Sequence, residues 1–392
     1  MNVMHVILTL EQGGAQEVVR LLCAHQPQEW RVPLVVSFED GPVRGQLERL
    51  GVRVEVLGLR RHGIEALPGF LAEGIAIRRR LRALSEEFAI DLVQTHLLET
   101  LDFHVLTLLG RGRPGGVIWT IHNVEFLPDG STPWLWLKQY GHRWLYRLCA
   151  GRVSAIVAVS ASVRDAFVDQ TGVPAERVRV IANGVDCDRP AVVAQRPALL
   201  RELGLAGPVR LALVVGRLAE QKGHRVLIEA AAKPGAERGD LHFVVVGEGP
   251  LDDALRERVR AAGLATRFHF LGVRSDVPAL LAACDLFVQP SLWEGLSVAL
   301  LEAMAAARPI VATEVSGAVQ AMVPDETGLL VPPGDAAALA AAIGRTLADP
   351  DAAERRGRLA RERVRERFSV QAQVRAHSAL YDEVLHARRA LP

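Results

Sequence analysis

Short runs of β-branched and other apolar residues recur along the whole chain, and stretches of helical length separate them. Seven runs lie in the first half and six in the second, at residues 3–8, 32–38, 52–57, 92–95, 117–121, 156–159, 178–181, 211–215, 242–246, 268–271, 286–289, 310–313 and 329–331. Strands that alternate with helices form βαβ units and parallel sheets. Because a single open sheet of that many strands would be unusual, the pattern predicts an α/β protein with two doubly wound, Rossmann-like domains.

The gap between the two groups of strands sets the predicted domain boundaries. Residues 188–208 contain prolines and no strand pattern. We therefore predict an N-terminal domain over residues 1–187, a linker over 188–208 and a C-terminal domain over 209–365. The C-terminal stretch has a helical apolar stripe and many arginines. Residues 366–392 are predicted to form a helix that packs back on the body, with an interaction tail as the alternative.

Charge and cysteine content exclude several classes of protein. The chain of 392 residues has 46 basic and 45 acidic side chains, a net charge of +1, whereas proteins that coat nucleic acids usually carry a strong basic excess. No nucleic-acid partner is therefore expected. The 4 cysteines are scattered without the spacing of metal ligands. We therefore expect no structural zinc site and a reducing compartment.

The N-terminus and the hydropathy pattern predict where the protein works. Residues 1–11 lack the basic region of a signal peptide and reach a carboxylate at Glu11, which favours a β-strand. The sequence contains no run of about 18 uncharged apolar residues, so no segment is expected to span a membrane. The predicted location is cytoplasmic, and peripheral attachment to the inner face of the membrane stays open.

In doubly wound sheets, ligands bind beyond the carboxyl ends of the strands, so the two domains are expected to face each other across a cleft. Gly13 and Gly14 follow the first strand and precede a helical pattern. Backbone N–H groups there suit a phosphate or another anion, although Gly-Gly is also common in ordinary turns. His122 follows the fifth strand, where it could hydrogen-bond a substrate hydroxyl, transfer a proton, or serve as a capping or core histidine.

Two cations follow the first strand of the second domain. Gly216 ends that strand, and Arg217 and Lys222 stand in the turn that leads into the next helix. Two fixed positive charges at this place suit a diphosphate, and they would stabilise the negative charge that it gains on leaving. The alternative is a pair of solvated surface cations.

The turn after the fourth strand of the second domain carries the most specific pattern. Glu294 lies in the turn, and Glu302 lies in a helix that is predicted to begin at Ser297, a good N-cap. Backbone N–H groups of Gly295, Leu296 and Ser297 would hold phosphates at the start of the helix, while the two carboxylates accept hydrogen bonds from sugar hydroxyls. A buried salt bridge is the alternative for Glu302.

Together these residues resemble the retaining glycosyltransferases of family 4, also called glycosyl transferases group 1, which have the GT-B fold. The most specific motif is Glu294 and Glu302, separated by seven residues and followed by an apolar helix. Further matches are Gly13-Gly14, His122-Asn123, Val159-Ser160, residues 183–186, Gly216-Arg217, Lys222-Gly223 and residues 327–335. The family commonly has glycine near Ala307, so this helix is expected to end without the left-handed conformation that glycine adopts freely.

The resemblance implies a hexosyltransferase that moves a sugar from a nucleotide-diphosphate sugar to an acceptor hydroxyl. It implies retention of the anomeric configuration and usually no catalytic metal. No cofactor and no metal are therefore expected, since the nucleotide-sugar is a substrate. UDP-linked sugars are the first expectation for the donor, and GDP-linked sugars are the next. Glu302 would bind the donor ribose, and Glu294 would bind hydroxyls of the transferred sugar.

The remaining assignments also come from the resemblance. Arg217 and Lys222 would hold the diphosphate, assisted by the backbone at Gly14 and at residues 295–297. His122 would contact the donor sugar near the reacting carbon. The loop that contains Val273 would border the base, and Gly13 and Gly216 complete the implied donor site.

The acceptor would bind the first domain, where no motif identifies it. Residues 131–152 contain five aromatic and four basic residues and no acidic residue, and arginines also cluster at residues 78–82. Helices of this composition can dock on anionic membranes. A lipid-linked or envelope acceptor is therefore one hypothesis, and a small molecule stays open. The alternative for residues 131–152 is a helix that buries its aromatic residues on the sheet.

Functions of other classes stay in view. A nucleotide-sugar epimerase or isomerase on the same scaffold would need further carboxylates and histidines placed for proton abstraction. A non-catalytic nucleotide-sugar binding protein would not need the full charged set of Arg217, Lys222, Glu294 and Glu302. A nicotinamide dehydrogenase is disfavoured because the first strand is not followed by the GxGxxG pattern.

Overall fold

The computed structural model describes residues 1–58, 67–96, 105, 114–123, 133–188 and 196–389. The chain forms two compact units, one of Met1–Asn183 with Val370–Pro392 and the other of Gly184–Ser369. Each unit contains one parallel β-sheet with helices between its strands. The predicted fold class, two doubly wound Rossmann-like domains, is confirmed.

The first unit is built on a seven-stranded sheet. Its strands are β1 (Asn2–Thr9), β2 (Arg31–Glu39), β3 (Arg53–Val56), β4 (Leu92–His96), β5 (Gly116–Ile121), β6 (Ala155–Ala158) and β7 (Val178–Val180), in the spatial order β3-β2-β1-β4-β5-β6-β7. Its described helices include α1 (Gly14–Ala24), α2 (Val43–Arg49), α3 (Leu67–Glu87), α4 (Pro133–Ala150) and α5 (Ala161–Thr171). A short 3-10 turn, Ala175–Arg177, precedes β7.

The second unit is built on a six-stranded sheet. Its strands are β8 (Arg210–Val215), β9 (Leu241–Val246), β10 (Phe268–Phe270), β11 (Leu286–Gln289), β12 (Ile310–Thr313) and β13 (Leu329–Val331), in the spatial order β10-β9-β8-β11-β12-β13. Its helices are α6 (Arg196–Glu202), α7 (His224–Ala231), α8 (Asp252–Ala261), α9 (Val277–Ala283), α10 (Val298–Ala305), α11 (Ser316–Ala321), α12 (Ala336–Ala348) and α13 (Pro350–Arg367).

The central strands are apolar because helices cover both faces of a parallel sheet. All residues of β5 and of β9 are buried. Each unit has its own apolar core, around Trp119 and Phe167 in the first and around Phe243 and Leu339 in the second. The apolar runs in the sequence therefore correspond to the strands, and every predicted strand is present within a few residues of its predicted ends.

The last helix, α14 (Val370–Arg389), returns to the first unit. Trp30 Nε1 donates a hydrogen bond to Ser378 Oγ at 2.7 Å, and the Tyr381 hydroxyl donates one to Gln94 Oε1 on β4. The buried Tyr381 ring also meets Trp30 edge-on at 5.3 Å. The C-terminal helix thus packs on the sheet of the first unit and belongs to that unit.

The predicted linker, residues 188–208, contains a helix of the second unit. Arg196 at the start of α6 donates hydrogen bonds to the carbonyls of Ala283 at 2.5 Å and Val209 at 2.7 Å. It also forms an ion pair with Asp285 at 3.0 Å. Residues 189–195 lie outside the described residues. The first of the two segments that form the first compact unit ends at Asn183, a few residues before the predicted boundary at residue 187.

The end of α10 differs from the expectation. Ala307 has a φ of 54°, in the left-handed region that glycine favours, although the sequence predicted an end without that conformation. Arg308 N then donates to the Ala303 carbonyl at 3.0 Å, which closes the helix end. Side chains in the left-handed region cost roughly 1–2 kcal/mol, so the surrounding packing must hold this residue in place.

Candidate functional site

Two loops at the carboxyl edge of the second sheet are locked against each other. The loop after β8 contains a 3-10 turn, Glu220–Lys222, and ends at Gly223, whose φ is 63°. A Cβ on Gly223 would lie 1.9 Å from the Pro290 carbonyl oxygen in the loop after β11. Leu292 N donates to the Gln221 carbonyl at 2.7 Å. Only glycine permits this approach, which brings the two predicted site segments together.

Lys222 and Glu294 form an ion pair between these loops. Lys222 Nζ donates to Glu294 Oε2, and the two side chains are 20% and 12% exposed. Gln221 Nε2 lies 3.4 Å from Glu294 Oε1, and Ser291 Oγ lies 3.4 Å from Glu294 Oε2. The carboxylate is therefore oriented from several sides. The sequence predicted Lys222 and Glu294 as separate site residues, but not the ion pair between them and not Gln221 or Ser291, whose residue types are common in turns.

The backbone of Glu294 is fixed by the start of α11. Ser316 Oγ and Gly317 N donate to the Glu294 carbonyl at 3.1 and 3.3 Å. A Cβ on Gly317 would lie 1.5 Å from the Gly295 carbonyl oxygen, so this contact requires glycine. The turn that holds Glu294 is thus rigid from both sides.

Helix α10 begins where the sequence predicted. Ser297 is its N-cap, and Ser297 Oγ accepts a hydrogen bond from Leu300 N at 3.4 Å. Gly295, Leu296 and Ser297 are buried. Glu302 is half-buried on this helix and is not without a partner. A helix start beside a lysine favours negatively charged ligands, because free N–H groups and the ammonium act together.

The other predicted donor residues lie at the same edge. The aliphatic part of Lys222 packs over Gly216, where a Cβ would lie 3.2 Å from the lysine chain, and Arg217 is exposed on the same loop. Val273 is also exposed, in the loop after β10. Gly247 N donates to the Gly272 carbonyl at 2.8 Å and thereby connects this loop to the end of β9.

Two buried polar side chains near these loops were not predicted. Among the described residues, neither ring nitrogen of His224 and neither amide atom of Gln289 has a hydrogen-bond partner. His224 follows Gly223 directly, and Gln289 ends β11. Burial, followed by the charge of Lys222, lowers the pKa of His224 to about 4. The only signal in the sequence was their position after Lys222-Gly223 and at a strand end.

Gly13, Gly14 and His122 belong to the first unit. Gly13 is the N-cap of α1, and both glycines are exposed after β1. His122 is buried after β5, and its Nε2 lies 3.0 Å from His96 Nδ1. The burial of His122 agrees with the alternative of a core histidine, but its ring is also within hydrogen-bonding distance of another histidine. The structure therefore brings together the predicted site residues of the second unit and leaves these three on the first.

The aromatic-and-basic segment forms helix α4 and divides its aromatic residues between core and solvent. Tyr146 is buried edge-on between Trp119 and Phe167. Tyr140, Trp144 and Leu148 are 59%, 60% and 53% exposed and follow one another at one helical face. Among the aromatic side chains of α4 that the structure describes, the alternative of an ordinary packed helix accounts for Tyr146 and not for Tyr140 or Trp144. The side chains of Trp134 and Trp136 lie outside the described ones.

The second basic cluster is partly neutralised. Arg80 forms an ion pair with Glu55, and Arg82 forms one with Glu86 at 3.6 Å. Arg78 and Arg79 are exposed on α3. Among the described residues, no three or more histidine, cysteine or acidic residues are grouped so that they could hold a metal ion. No helix in the described part of the chain is long and apolar enough to cross a membrane.

Two family models match this chain, one in each half. The family model described as Glycosyltransferase Family 4 matches residues 12–189, and the one described as Glycosyl transferases group 1 matches residues 209–349. The 2-deoxystreptamine glucosyltransferase of Streptomyces kanamyceticus is 31% identical over 363 residues, which are 88% of this chain and 89% of that enzyme. The chain belongs to glycosyltransferase family 4.

Two further proteins are similar to this glycosyltransferase. The UDP-Gal:alpha-D-GlcNAc-diphosphoundecaprenol alpha-1,3-galactosyltransferase of Escherichia coli is 32% identical over 234 residues, 58% of this chain and 58% of that enzyme. The crystal structure of Anabaena Alr3699/HepE in complex with UDP and glucose has a TM-score of 0.82 and 24% identity, and the match covers 98% of this chain and 100% of that one. The predicted family and its GT-B fold are confirmed.

Proposed function

We propose that this family 4 glycosyltransferase moves a hexose from a UDP-sugar to an acceptor hydroxyl, with retention of the anomeric configuration and without a catalytic metal. The observation that carries the proposal is the Lys222–Glu294 ion pair between the loop after β8 and the start of α10. This arrangement combines a cation and a helix start for phosphates with a carboxylate for sugar hydroxyls.

Each group would act at a stated place on the donor. Lys222 and the exposed Arg217 would bind the diphosphate and stabilise the charge that develops when the bond to the anomeric carbon breaks. Glu294 would accept hydrogen bonds from sugar hydroxyls, and Glu302 would do the same for the ribose. With two cations on the diphosphate, a divalent metal is not required for charge neutralisation. Family membership supports retention.

The names of similar proteins support UDP as the nucleotide of the donor. Alr3699/HepE was crystallised with UDP and glucose, and the name of the Escherichia coli enzyme states UDP-galactose as its donor. Val273 and its neighbours in the loop after β10 would border the uracil. GDP-sugars are the second candidates.

A thermal-shift panel with UDP, GDP, ADP and NAD, each with and without Mg²⁺, tests the donor. We expect UDP alone to raise the melting temperature, to the same extent with and without Mg²⁺. A ligand at about 100 times its Kd stabilises the folded state by about 2.7 kcal/mol, which is a shift of several degrees. A shift with NAD alone, or with none of the four, would contradict the proposed donor site.

Two other functions predict different products from a UDP-sugar. An epimerase or isomerase would return an altered UDP-sugar, and a binding protein would return the donor unchanged. A transferase releases UDP, slowly with water as the acceptor and faster with its own acceptor. Analysis of the products by chromatography therefore separates the three functions.

We place the acceptor at an anionic membrane surface, as a lipid-linked or envelope glycan. Tyr140, Trp144 and Leu148 form an exposed stripe on α4, and Arg143, Arg147 and Arg152 are exposed beside it. Aromatic rings at the interface and arginines at anionic headgroups are a common mode of peripheral binding. The lipid-linked acceptor in the name of the Escherichia coli enzyme is consistent with this. A small-molecule acceptor is the alternative.

Flotation with lipid vesicles tests this surface. We expect the protein to float with vesicles that contain phosphatidylglycerol and not with pure phosphatidylcholine. The triple variant Tyr140→Ser/Trp144→Ser/Leu148→Ser should bind the vesicles at least about tenfold more weakly, because most of the apolar side chains that insert into the membrane are lost. Val319→Ser, at an exposed apolar residue of the second unit, is the matched control. Equal flotation of the triple variant and the wild type would exclude the stripe as the membrane contact.

A further inference from the structure

Three histidines form a hydrogen-bonded chain across neighbouring strands of the first unit. His5 lies on β1, His96 ends β4 and His122 follows β5. His5 Nδ1 lies 2.9 Å from His96 Nε2, and His96 Nδ1 lies 3.0 Å from His122 Nε2. His5 and His96 are 0% exposed, whereas His122 is 9% exposed. The chain therefore has a closed end at His5 and an open end at His122.

Burial keeps the three rings neutral. It lowers the pKa of His5 and of His122 to about 3, and it lowers that of His96 well below the ordinary value. A positive charge on the neighbouring His377 of α14 would lower the pKa of all three further, and burial lowers the pKa of His377 itself to about 4. A neutral imidazole has one N–H donor and one acceptor nitrogen.

Only two arrangements of protons keep both contacts. In the first, His5 Nδ1–H donates to His96 Nε2 and His96 Nδ1–H donates to His122 Nε2, which leaves the proton of His122 on Nδ1. In the second, every proton lies on Nε2, and the donors point the other way. His96 has one proton, so it cannot donate in both directions.

The closed end distinguishes the two arrangements. His5 Nε2 is buried and has no hydrogen-bond partner among the residues that the structure describes. The second arrangement would leave an N–H donor unpaired there, whereas the first leaves only an acceptor lone pair. Buried N–H groups without a partner are the rarer of the two in proteins. The burial of the closed end thus selects the proton position at the open end.

We propose that His96 is a positioning residue that holds His122 in the Nδ1–H tautomer, so that His122 presents a hydrogen-bond donor, and not a base, to an oxygen atom of the ligand. His5 fixes the direction of the chain. The proposal rests on the proposed function only in assigning that oxygen to the donor sugar or its leaving phosphate. The proposal restricts His122 to donating a hydrogen bond from Nδ1, because its Nε2 lone pair already accepts one from His96.

The tautomers can be observed directly in the free protein. Protein labelled with ¹⁵N-histidine gives long-range ¹H–¹⁵N correlation spectra that distinguish the Nδ1–H and Nε2–H forms. His5→Gln, His96→Asn and His122→Asn assign the signals. We expect all three histidines in the Nδ1–H form at pH 7.5. An Nε2–H form at His96 or His122 would overturn the proposal, whatever the enzyme's activity.

Two substitutions of His96 separate positioning from structural support. The amide nitrogen of asparagine takes the place of Nδ1, so His96→Asn keeps the donor to His122. In glutamine the amide takes the place of Nε2, so His96→Gln keeps the contact to His5 and loses that donor. We expect His96→Asn to retain kcat within about twofold and His96→Gln to lower it about tenfold at unchanged KM, the effect of one hydrogen bond to a buried group.

Two controls distinguish a failure of the positioning role of His96 from a failure of the proposed function. His242→Gln removes the Nδ1 position that contacts His269 at 3.1 Å near the amino end of β9, and it should leave kcat unchanged. Equal losses in His96→Asn and His96→Gln, in proportion to lost thermal stability, would show that His96 is merely structural. If UDP does not bind, the proposed function fails while the spectra still decide the tautomer.

Discussion

Replacing Lys222 with alanine is expected to lower the rate of UDP release from a UDP-sugar at least about 100-fold. Removal of one group that stabilises developing negative charge typically costs about 10²–10³ in rate. Lys222 also neutralises Glu294, whose side chain is only 12% exposed. The variant therefore loses a phosphate ligand and leaves a nearly buried carboxylate without its cation.

A matched control and a second variant separate these two effects. Lys233→Ala removes an exposed lysine of the same unit and should keep the rate within about twofold. Glu294→Gln removes the carboxylate that holds Lys222. It should bind UDP at least as tightly as the wild type, because Lys222 is released for the diphosphate, while sugar transfer falls.

The measurements are steady-state UDP release and the Kd for UDP of each variant. A Lys222→Ala enzyme with a rate within tenfold of the wild type would remove Lys222 from the diphosphate site. Thermal unfolding of the two single variants and of Lys222→Ala/Glu294→Gln completes a double-mutant cycle for the ion pair. We expect the double variant to lose less stability than the two single losses added together.

Acidification from pH 6.5 to 5 is expected to destabilise the first unit strongly. Among the described residues of this unit, four histidines are buried, namely His5, His96, His122 and His377. Burial lowers the pKa of His377 to about 4 and of His5 and His122 to about 3. In the unfolded chain each returns to its ordinary pKa near 6.5.

The sign follows from proton uptake. Below pH 6.5 the unfolded chain binds protons that the folded chain does not, so the free energy of unfolding falls as the pH falls. The loss continues until the folded pKa is reached. Each histidine contributes about 1.4 kcal/mol per pH unit, and the four together contribute about 5.5 kcal/mol per pH unit. Since domains are stable by about 5–15 kcal/mol, this loss is comparable with the whole stability of the unit.

Calorimetry at pH 7.5, 6 and 5 measures this effect, and the window lies above the range where carboxylates titrate. His5→Gln should reduce the slope of stability against pH by about one proton, because it removes one of the buried rings whose pKa is lowered. A stability that does not change between pH 7.5 and 5 would show that these rings do not remain neutral in the folded protein.

Much of the fold was predictable because its signals are local. The alternation of apolar runs with helical stretches located all of the strands, since strands covered on both faces must be apolar. The N-cap at Ser297 was also local, because its hydroxyl satisfies an amide three residues away. Glu294 and Glu302 were selected by their spacing, which is likewise a property of one short segment.

Contacts between distant segments were not predictable in this way. Lys222 and Glu294 are separated by 72 residues, and His5 and His96 by 91. His224 and Gln289 belong to no motif. Only the structure shows that their side chains are buried and have no hydrogen-bond partner among the described residues. Their surroundings depend on which strands are neighbours, which an apolar pattern does not encode.

The sequence by itself determined the family, the two parallel sheets and most of the candidate donor site, because periodicity, caps and motif spacing act within one segment. The tertiary structure alone decided that α14 packs on the first unit and that Ala307 takes a φ of 54°. A Cβ on Gly357 of α13 would lie 2.4 Å from the Ala307 carbonyl oxygen, so this helix end is held by close packing. Such constraints come from elements that meet only in the folded chain, where packing energy can outweigh a local conformational preference.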